Sequence, residues 1–300
     1  MLPIVLLLVG MESLLRNIPN DYSYKSNFLD SASSKIQVLF LGNSHSYFGL
    51  NPLNITLKAF NVAHVSQSLN IDLAILNKFN NKWDSLKYII VPIDYFTMYS
   101  SLEITKEKWR LKNYSLYYKL PLKVSGVTNY EILEGQENLT RIVRYYLLGE
   151  SNITTNSYGW GTNYNSVNKQ DLVKTGKTAA ERHTTSSTNT TCFISNMQNI
   201  NALYEFSFKK NIQLIFVTFP AYKTYTENLN RQQLIKTVNF IKNFSLHKKQ
   251  TYYYNFLNDT SFKETDFYDA DHLNEKGASK MTLKIDSIIE NQENVKRILR

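Results

Sequence analysis

Short apolar runs alternate along the chain with stretches of helical spacing. Ile36 to Leu41 is continuously apolar and ends at Gly42. It is too short for a helix and rich in β-formers, which predicts a strand buried on both faces. Ala59 to Ala63, Tyr88 to Ile93, Ile212 to Phe219 (ended by Pro220) and Tyr252 to Phe256 predict four more strands. Between them, Leu73, Ile75, Leu76 and Phe79 give one apolar face to a helix over 71–79, and 197–209 has helical spacing. A long helix is expected over 227–244, and Ala278, Met281, Ile285 and Ile288 form a final helical stripe. Parallel strands need long crossovers, and both sheet faces must be covered. The pattern therefore predicts an α/β protein, a three-layer α/β/α sandwich around a central parallel sheet with right-handed crossovers.

The pattern lapses in two places. Leu2 to Val9 is almost entirely aliphatic, but Glu12 and Arg16 follow closely, leaving the run shorter than the roughly 20 residues that span a bilayer. It has neither the basic n-region nor the small-residue cleavage site of a secretory signal. It reads as the end of a membrane anchor, with an interfacial segment or a buried first helix as alternatives. Pro19 then marks a helix stop and turn. The second lapse, about 100–191, is rich in Asn, Ser and Thr, with aromatic islands such as Tyr158-Gly159-Trp160-Gly161. The expected organisation is an apolar segment and linker over 1–34 and one domain over 35–300, with 100–191 inserted over its active-site face.

Composition narrows the function classes. The 300 residues, 43% of them hydrophobic, supply a large core. The formal charge of +9 comes from 34 Lys and Arg against 25 Asp and Glu, but the basic residues are scattered rather than gathered in a stripe, so no nucleic-acid partner is expected. Cys192 is the only cysteine, which excludes an intramolecular disulfide and a multi-cysteine zinc site.

Candidate chemistry lies at opposite ends of the predicted domain. Leu41-Gly42-Asn43-Ser44-His45 directly follows the first strand, and Phe267-Tyr268-Asp269-Ala270-Asp271-His272-Leu273-Asn274 precedes the last helix. Loops after parallel strands face the ligand crevice, so Ser44 is presented there. A serine hydroxyl needs a base to take its proton, and a histidine oriented by a nearby carboxylate is such a base. Ser44 alone could be a helix N-cap, and His272 an exposed loop residue. The two motifs together favour a triad of Ser44, His272 and Asp269, with Asp271 as the alternative acid. His45 and His64 lack companions at ligand spacing, so no metal site is expected.

These motifs resemble the SGNH (GDSL-like) hydrolases over about Lys35 to Ile93 and Ile212 to Ile289. Gly-Asn-Ser-His, together with the ending Asp-x-x-His-Leu-Asn-x-x-Gly-Ala completed by Asn274, Gly277 and Ala278, is most similar to the membrane-associated branch. That branch includes alginate-type O-acetyltransferases and the accessory protein of teichoic-acid D-alanylation. The resemblance implies a flavodoxin-like SGNH fold. It implies a serine esterase or O-acyltransferase acting without a cofactor on an acylated extracytoplasmic polysaccharide. It also implies a membrane-bound O-acyltransferase partner and an extracytoplasmic, membrane-associated location.

Two positions depart from the family pattern. Ser66 stands where the family has a glycine, so the oxyanion hole is expected from the amides of Ser44 and Ser66. Asp94 stands where an asparagine is usual, and its carboxylate is expected to repel an oxyanion. Weaker candidates for substrate contact are His45 and Trp160, the latter with Tyr158 and Trp109 as stacking surfaces or core anchors. The departures leave an alternative of another class: a catalytically weak SGNH-like module that binds a glycan or partner protein.

Overall fold

The computed structural model describes residues 2–122, 129–185 and 190–298. It divides into a smaller unit, Met1–Ser31 with Leu102–Thr155, and a larger unit, Ala32–Ser101 with Asn156–Arg300. In chain order the elements begin with α1 (Leu2–Arg16), α2 (Asp21–Ala32), β1 (Val38–Phe40), α3 (Ser44–Gly49), β2 (Ala59–Asn61), α4 (Leu69–Lys78) and β3 (Tyr88–Pro92). They continue with α5 (Leu111–Leu116), α6 (Asn138–Ile142), α7 (Leu172–His183), α8 (Thr190–Lys209) and β4 (Gln213–Thr218). The last are α9 (Lys223–Thr226), α10 (Arg231–His247), β5 (Thr251–Asn255) and α11 (Glu275–Ile298).

The larger unit is an α/β/α sandwich on a five-stranded, wholly parallel sheet of order β2-β1-β3-β4-β5. The period-two alternation of each strand sorts its side chains between two helical layers. Val38, Phe40, Ile90, Ile215 and Val217 pack with Met281, Ile285 and Ile289 of α11. Phe216, on the opposite face, meets Phe244 of α10 edge-on, and that ring also contacts Tyr204 of α8. All predicted strands are present. The helix expected over 227–244 is one helix with a later start: the Asn230 side chain caps α10 by accepting the Gln233 N–H at 2.9 Å, and the short α9 lies before the expected range. The strand order reverses between β1 and β3, so the loops after these strands diverge and leave the crevice where α/β sheets bind ligands.

α7 lies in the stretch read as irregular. Its apolar face is built from Leu172, Ala179 and Ala180 around Gly176, where a Cβ would collide with Thr224. The Asp171 side chain caps it by accepting from Val173 and Lys174 N–H. This helix carries His183 into the larger unit's interior.

The smaller unit is helical. The Asn20 side chain accepts from the Tyr22 and Ser23 amides and starts α2 after the Pro19 turn. Leu15, Ile18, Leu29, Tyr114 and Tyr118 are among its buried side chains. In α1, Leu2 and Ile4 to Val9 are exposed. Among the described residues no helix is long and apolar enough to cross a membrane.

Candidate active site

The loop after β1 turns sharply at Gly42, whose φ of 102° favours glycine and whose Cβ would overlap the Pro92 ring. Asn43, in extended conformation, is the N-cap of α3: its Oδ1 accepts the His45 N–H at 2.9 Å. The capping role considered for Ser44 is thus taken by its neighbour. Ser44 is the first helical residue, and its hydroxyl is turned to another partner.

That partner is His272, 228 residues away in sequence, whose Nε2 lies 2.9 Å from Ser44 Oγ. The His272 loop closes on itself through an isolated bridge between Phe267 and Leu273 and a Tyr268 N–H to His272 carbonyl bond of 2.9 Å. Asn274 fixes its exit: Nδ2 donates to the Thr265 and Phe267 carbonyls, while Oδ1 accepts from Lys276 and Gly277 and starts α11. Asp269 places its oxygens 3.0 and 3.1 Å from His272 Nδ1. Asp269 Oδ1 also accepts the Asp271 and His272 backbone N–H groups, each at 2.8 Å. Burial opposes its charge, but the His272 ring and these donors prevail and hold its pKa below the usual carboxylate range. With Nδ1–H directed at Asp269, Nε2 presents its lone pair to the Ser44 hydroxyl.

Of the two acids considered, Asp269 is therefore the one on His272. The nearer Asp271 oxygen is 3.9 Å from Nδ1, and this fully buried carboxylate points inward. Asp271 Oδ1 is 3.2 Å from His45 Nε2, and Oδ2 is 3.5 Å from His183 Nδ1. His45 Nδ1 lies 2.8 Å from Asp94 Oδ2. Burial disfavours a cation at His45, yet the Asp94 and Asp271 carboxylates outweigh it and raise the imidazole well above its ordinary pKa. Burial pushes Asp271 up, but the surrounding histidines pull it far below the carboxylate range. His183 goes the other way: burial lowers its pKa to about 4, and its Nδ1 is 2.9 Å from the Tyr225 hydroxyl. His45, considered for substrate contact, thus has both ring nitrogens turned to internal carboxylates and is almost completely buried.

Ser66 has a φ of 61°, the left-handed region where a glycine would be unstrained. Its turn is tied to the nucleophile loop by His64 N–H to the Gly42 carbonyl at 3.2 Å. Asp72 joins the same two loops from below, its Oδ1 accepting from Gly42 N–H at 2.8 Å and Gln67 Nε2 at 2.6 Å. Burial raises the Asp72 carboxyl to about 7, only partly offset by these donors. The repulsion expected from Asp94 meets a different arrangement. Its carboxylate takes Asn43 Nδ2 at 3.1 Å and Phe219 N–H at 3.2 Å besides His45, so its charge is spent on internal donors.

The aromatic candidates separate. Trp160 is partly buried and donates Nε1–H to the Phe48 carbonyl at 2.6 Å, fastening its segment to α3. The Tyr158 carbonyl accepts from Asn61 N–H, extending the β2 edge. Trp109 belongs to the smaller unit, beside Arg110. Nearest the histidine stands a wall that sequence reading missed: Phe48, Tyr164 and Tyr268 stack with ring centroids 3.6 and 3.9 Å apart, and Tyr164 meets His272 edge-on at 5.2 Å. Asp72 and His183 were also missed. Asp72 left a trace, a lone carboxylate within the apolar run of α4; His183 and Tyr164 left none, since nothing local in their segments points to the site.

His45, Asp271 and His272 form a group of metal-ligand type among the described residues, with ligand atoms within 4.8 Å of one another. The nitrogens of His272 already face Ser44 and Asp269, and those of His45 face Asp94 and Asp271, so a cation would compete with every one of these contacts.

No family model and no curated protein matches the chain. Among solved structures it is similar to one described as "a putative platelet activating factor" from Streptococcus pneumonia, at 9% identity, covering 95% of this chain and 98% of that one, with a TM-score of 0.42. That degree of likeness carries no argument about activity.

Proposed function

We propose that this chain is an SGNH-type serine esterase or O-acyltransferase that acts on acyl esters of an extracytoplasmic polysaccharide. The observation that carries this reading is the unbroken chain from Ser44 Oγ through His272 to Asp269, assembled from two loops of the parallel-sheet unit. Ser44 Oγ attacks the acyl carbonyl as its proton passes to His272 Nε2, and Asp269 holds the imidazolium through Nδ1. The oxyanion is received by the amides of Ser44 and Ser66. Collapse of this intermediate breaks the ester bond, and His272 returns the proton to the departing oxygen, leaving acyl-Ser44. Water or a sugar hydroxyl then attacks, gives its proton to His272, and Ser44 leaves with that proton restored. No cofactor takes part.

The aromatic wall of Phe48, Tyr164 and Tyr268 shields one side of His272 from water, which favours a sugar hydroxyl as acceptor. Membrane association through α1, whose residues 4–9 expose apolar side chains on all sides of the helix, fits a substrate made at the cell envelope. A membrane-bound O-acyltransferase is the partner expected to supply the acyl group. The test is labelling with a fluorophosphonate probe and hydrolysis of p-nitrophenyl acetate by the wild type, Ser44→Ala and His272→Ala. Labelling and turnover confined to the wild type support the proposal, and an unlabelled wild type refutes an activated serine.

A further inference from the structure

Ser44 and His272 meet at 2.9 Å, and the residues next to them in sequence, His45 and Asp271, meet at 3.2 Å. The two loops that carry the proposed chemistry are thus joined twice, once at the surface and once beneath it. The buried contact does not stop there: His45 Nδ1 continues to Asp94, which also holds Asn43 Nδ2 and Phe219 N–H. One side chain therefore lies within ion-pair distance of the loop after β3 and of the loop before α11 while itself lying next to Ser44.

Charge gives this arrangement a second consequence. His272 has two carboxylates near its Nδ1, Asp269 at 3.0 Å and Asp271 at 3.9 Å. Two anions beside one imidazole would stabilise its protonated form and remove the base at neutral pH. The His45 ring, with its centroid 4.9 Å from that of His272, lies against Asp271 on the other side. The Phe96 and Phe219 rings also pack against His45. His183 reaches Asp271 from α7 and, with its pKa depressed to about 4, is neutral at pH 7; Tyr225 stands behind it.

Resting on the proposed function, we propose that His45 is a positioning residue: a protonated imidazole clamped between Asp94 and Asp271 that sets the Ser44 to His272 contact and cancels the Asp271 charge beside the general base. His45 touches neither substrate nor reacting atoms. It acts through His272.

The proposal predicts shifts of opposite sign in the acidic limb of the kcat/KM profile. His45→Gln removes the cation, leaves Asp271 uncompensated and moves the limb to higher pH by about 1 unit. Asp271→Asn removes the anion, leaves His45 facing His272 and moves the limb to lower pH by a similar amount. The double variant returns the limb close to its wild-type position with a reduced kcat. A merely structural role lowers kcat in both single variants without moving either limb, and that outcome overturns the proposal.

Imidazole ¹⁵N spectra of the wild-type protein provide a measurement that needs no variant to fold. His45 remaining protonated from pH 6 to pH 8 supports the clamp, and a neutral His45 at pH 7 overturns it. A wild type that takes no fluorophosphonate label would refute the nucleophile assignment and the catalytic meaning of His45 with it. The ring spectra of the same sample would still report whether the ion pairs exist, so the two failures are distinguishable.

Discussion

The smaller unit holds Glu131 between Lys112 and Arg141, each 2.9 Å from one carboxylate oxygen, while the Tyr117 hydroxyl donates to the other at 2.7 Å. The larger unit holds Asp271 between His45 and His183, with His272 close by. Both carboxylates are buried and ionised by their neighbours. Burial pushes Glu131 up, but Tyr117, Arg141 and Lys112 bring it below its ordinary value. The difference lies in the partners. Arginine stays charged at any pH near neutrality, and Glu131 is held by three donors at once, so its cluster ties α5 to α6 and the turn before it. The Asp271 cluster is made of histidines, whose charge depends on their surroundings, and it borders a hydroxyl that accepts none of its burial constraints. A buried charge marks a site of chemistry when its partners can change state and a nucleophile lies within reach.

The largest expected effect separates the two clusters outright. Ser44→Ala abolishes probe labelling and lowers esterase turnover by about 10⁴-fold or more, and Asp269→Asn by about 10⁴-fold, since Asn leaves His272 in the wrong tautomer. Stopped-flow or end-point assays of p-nitrophenyl acetate read both. Glu131→Ala removes the carboxylate shared by Lys112, Arg141 and Tyr117, which destabilises the smaller unit by about 3 kcal/mol. Faster amide hydrogen exchange in α5 and α6, with fluorophosphonate labelling of Ser44 retained, is the expected result, and a loss of labelling would show that the two clusters are not separable.

Asp72 sharpens the comparison through pH. Its folded carboxyl titrates near 7, above its ordinary value of 3.8, because burial favours the neutral acid. Its contribution is therefore fully present below pH 3.8 and declines as pH rises towards 7, with a limiting slope of about 1.4 kcal/mol per pH unit. Asp72→Asn removes this slope, and urea unfolding followed between pH 4 and pH 8 measures the change. The smallest effect belongs to Ser66→Gly. The amide at that position is kept and the left-handed backbone is relieved, so stability changes by less than about 1 kcal/mol and the esterase rate is retained. A large loss of rate would mean that the Ser66 side chain, and not its amide, serves the oxyanion.

Strand positions and sheet class were legible because apolar runs of four to eight residues, bounded by Gly, Pro or polar clusters, have few alternatives to burial in a parallel sheet. The N-cap at Asn230 was not anticipated, since the apolar spacing suits a helix that begins at 227 as well as one that begins at 231. In the candidate site, Ser44, Asp269 and His272 were legible because each sits in a short motif whose residue types have a common chemical use. Spacing favours Asp269 over Asp271 as the acid, and in the structure Asp269 lies on the His272 ring while Asp271 is turned inward.

By itself the sequence determined the alternation of strands and helices and the two loops that bear reactive groups, for both depend on residues close together in the chain. Only the tertiary structure decided the roles of His45, Asp94, Asp271, His183 and Asp72. Each is a charge whose fate depends on what it meets after burial, and its partners lie on loops and helices up to 226 residues away, as Asp271 does from His45. Local pattern carries propensity and periodicity. Desolvation and Coulomb interaction act across space, and they take their sign from neighbours that the fold alone supplies.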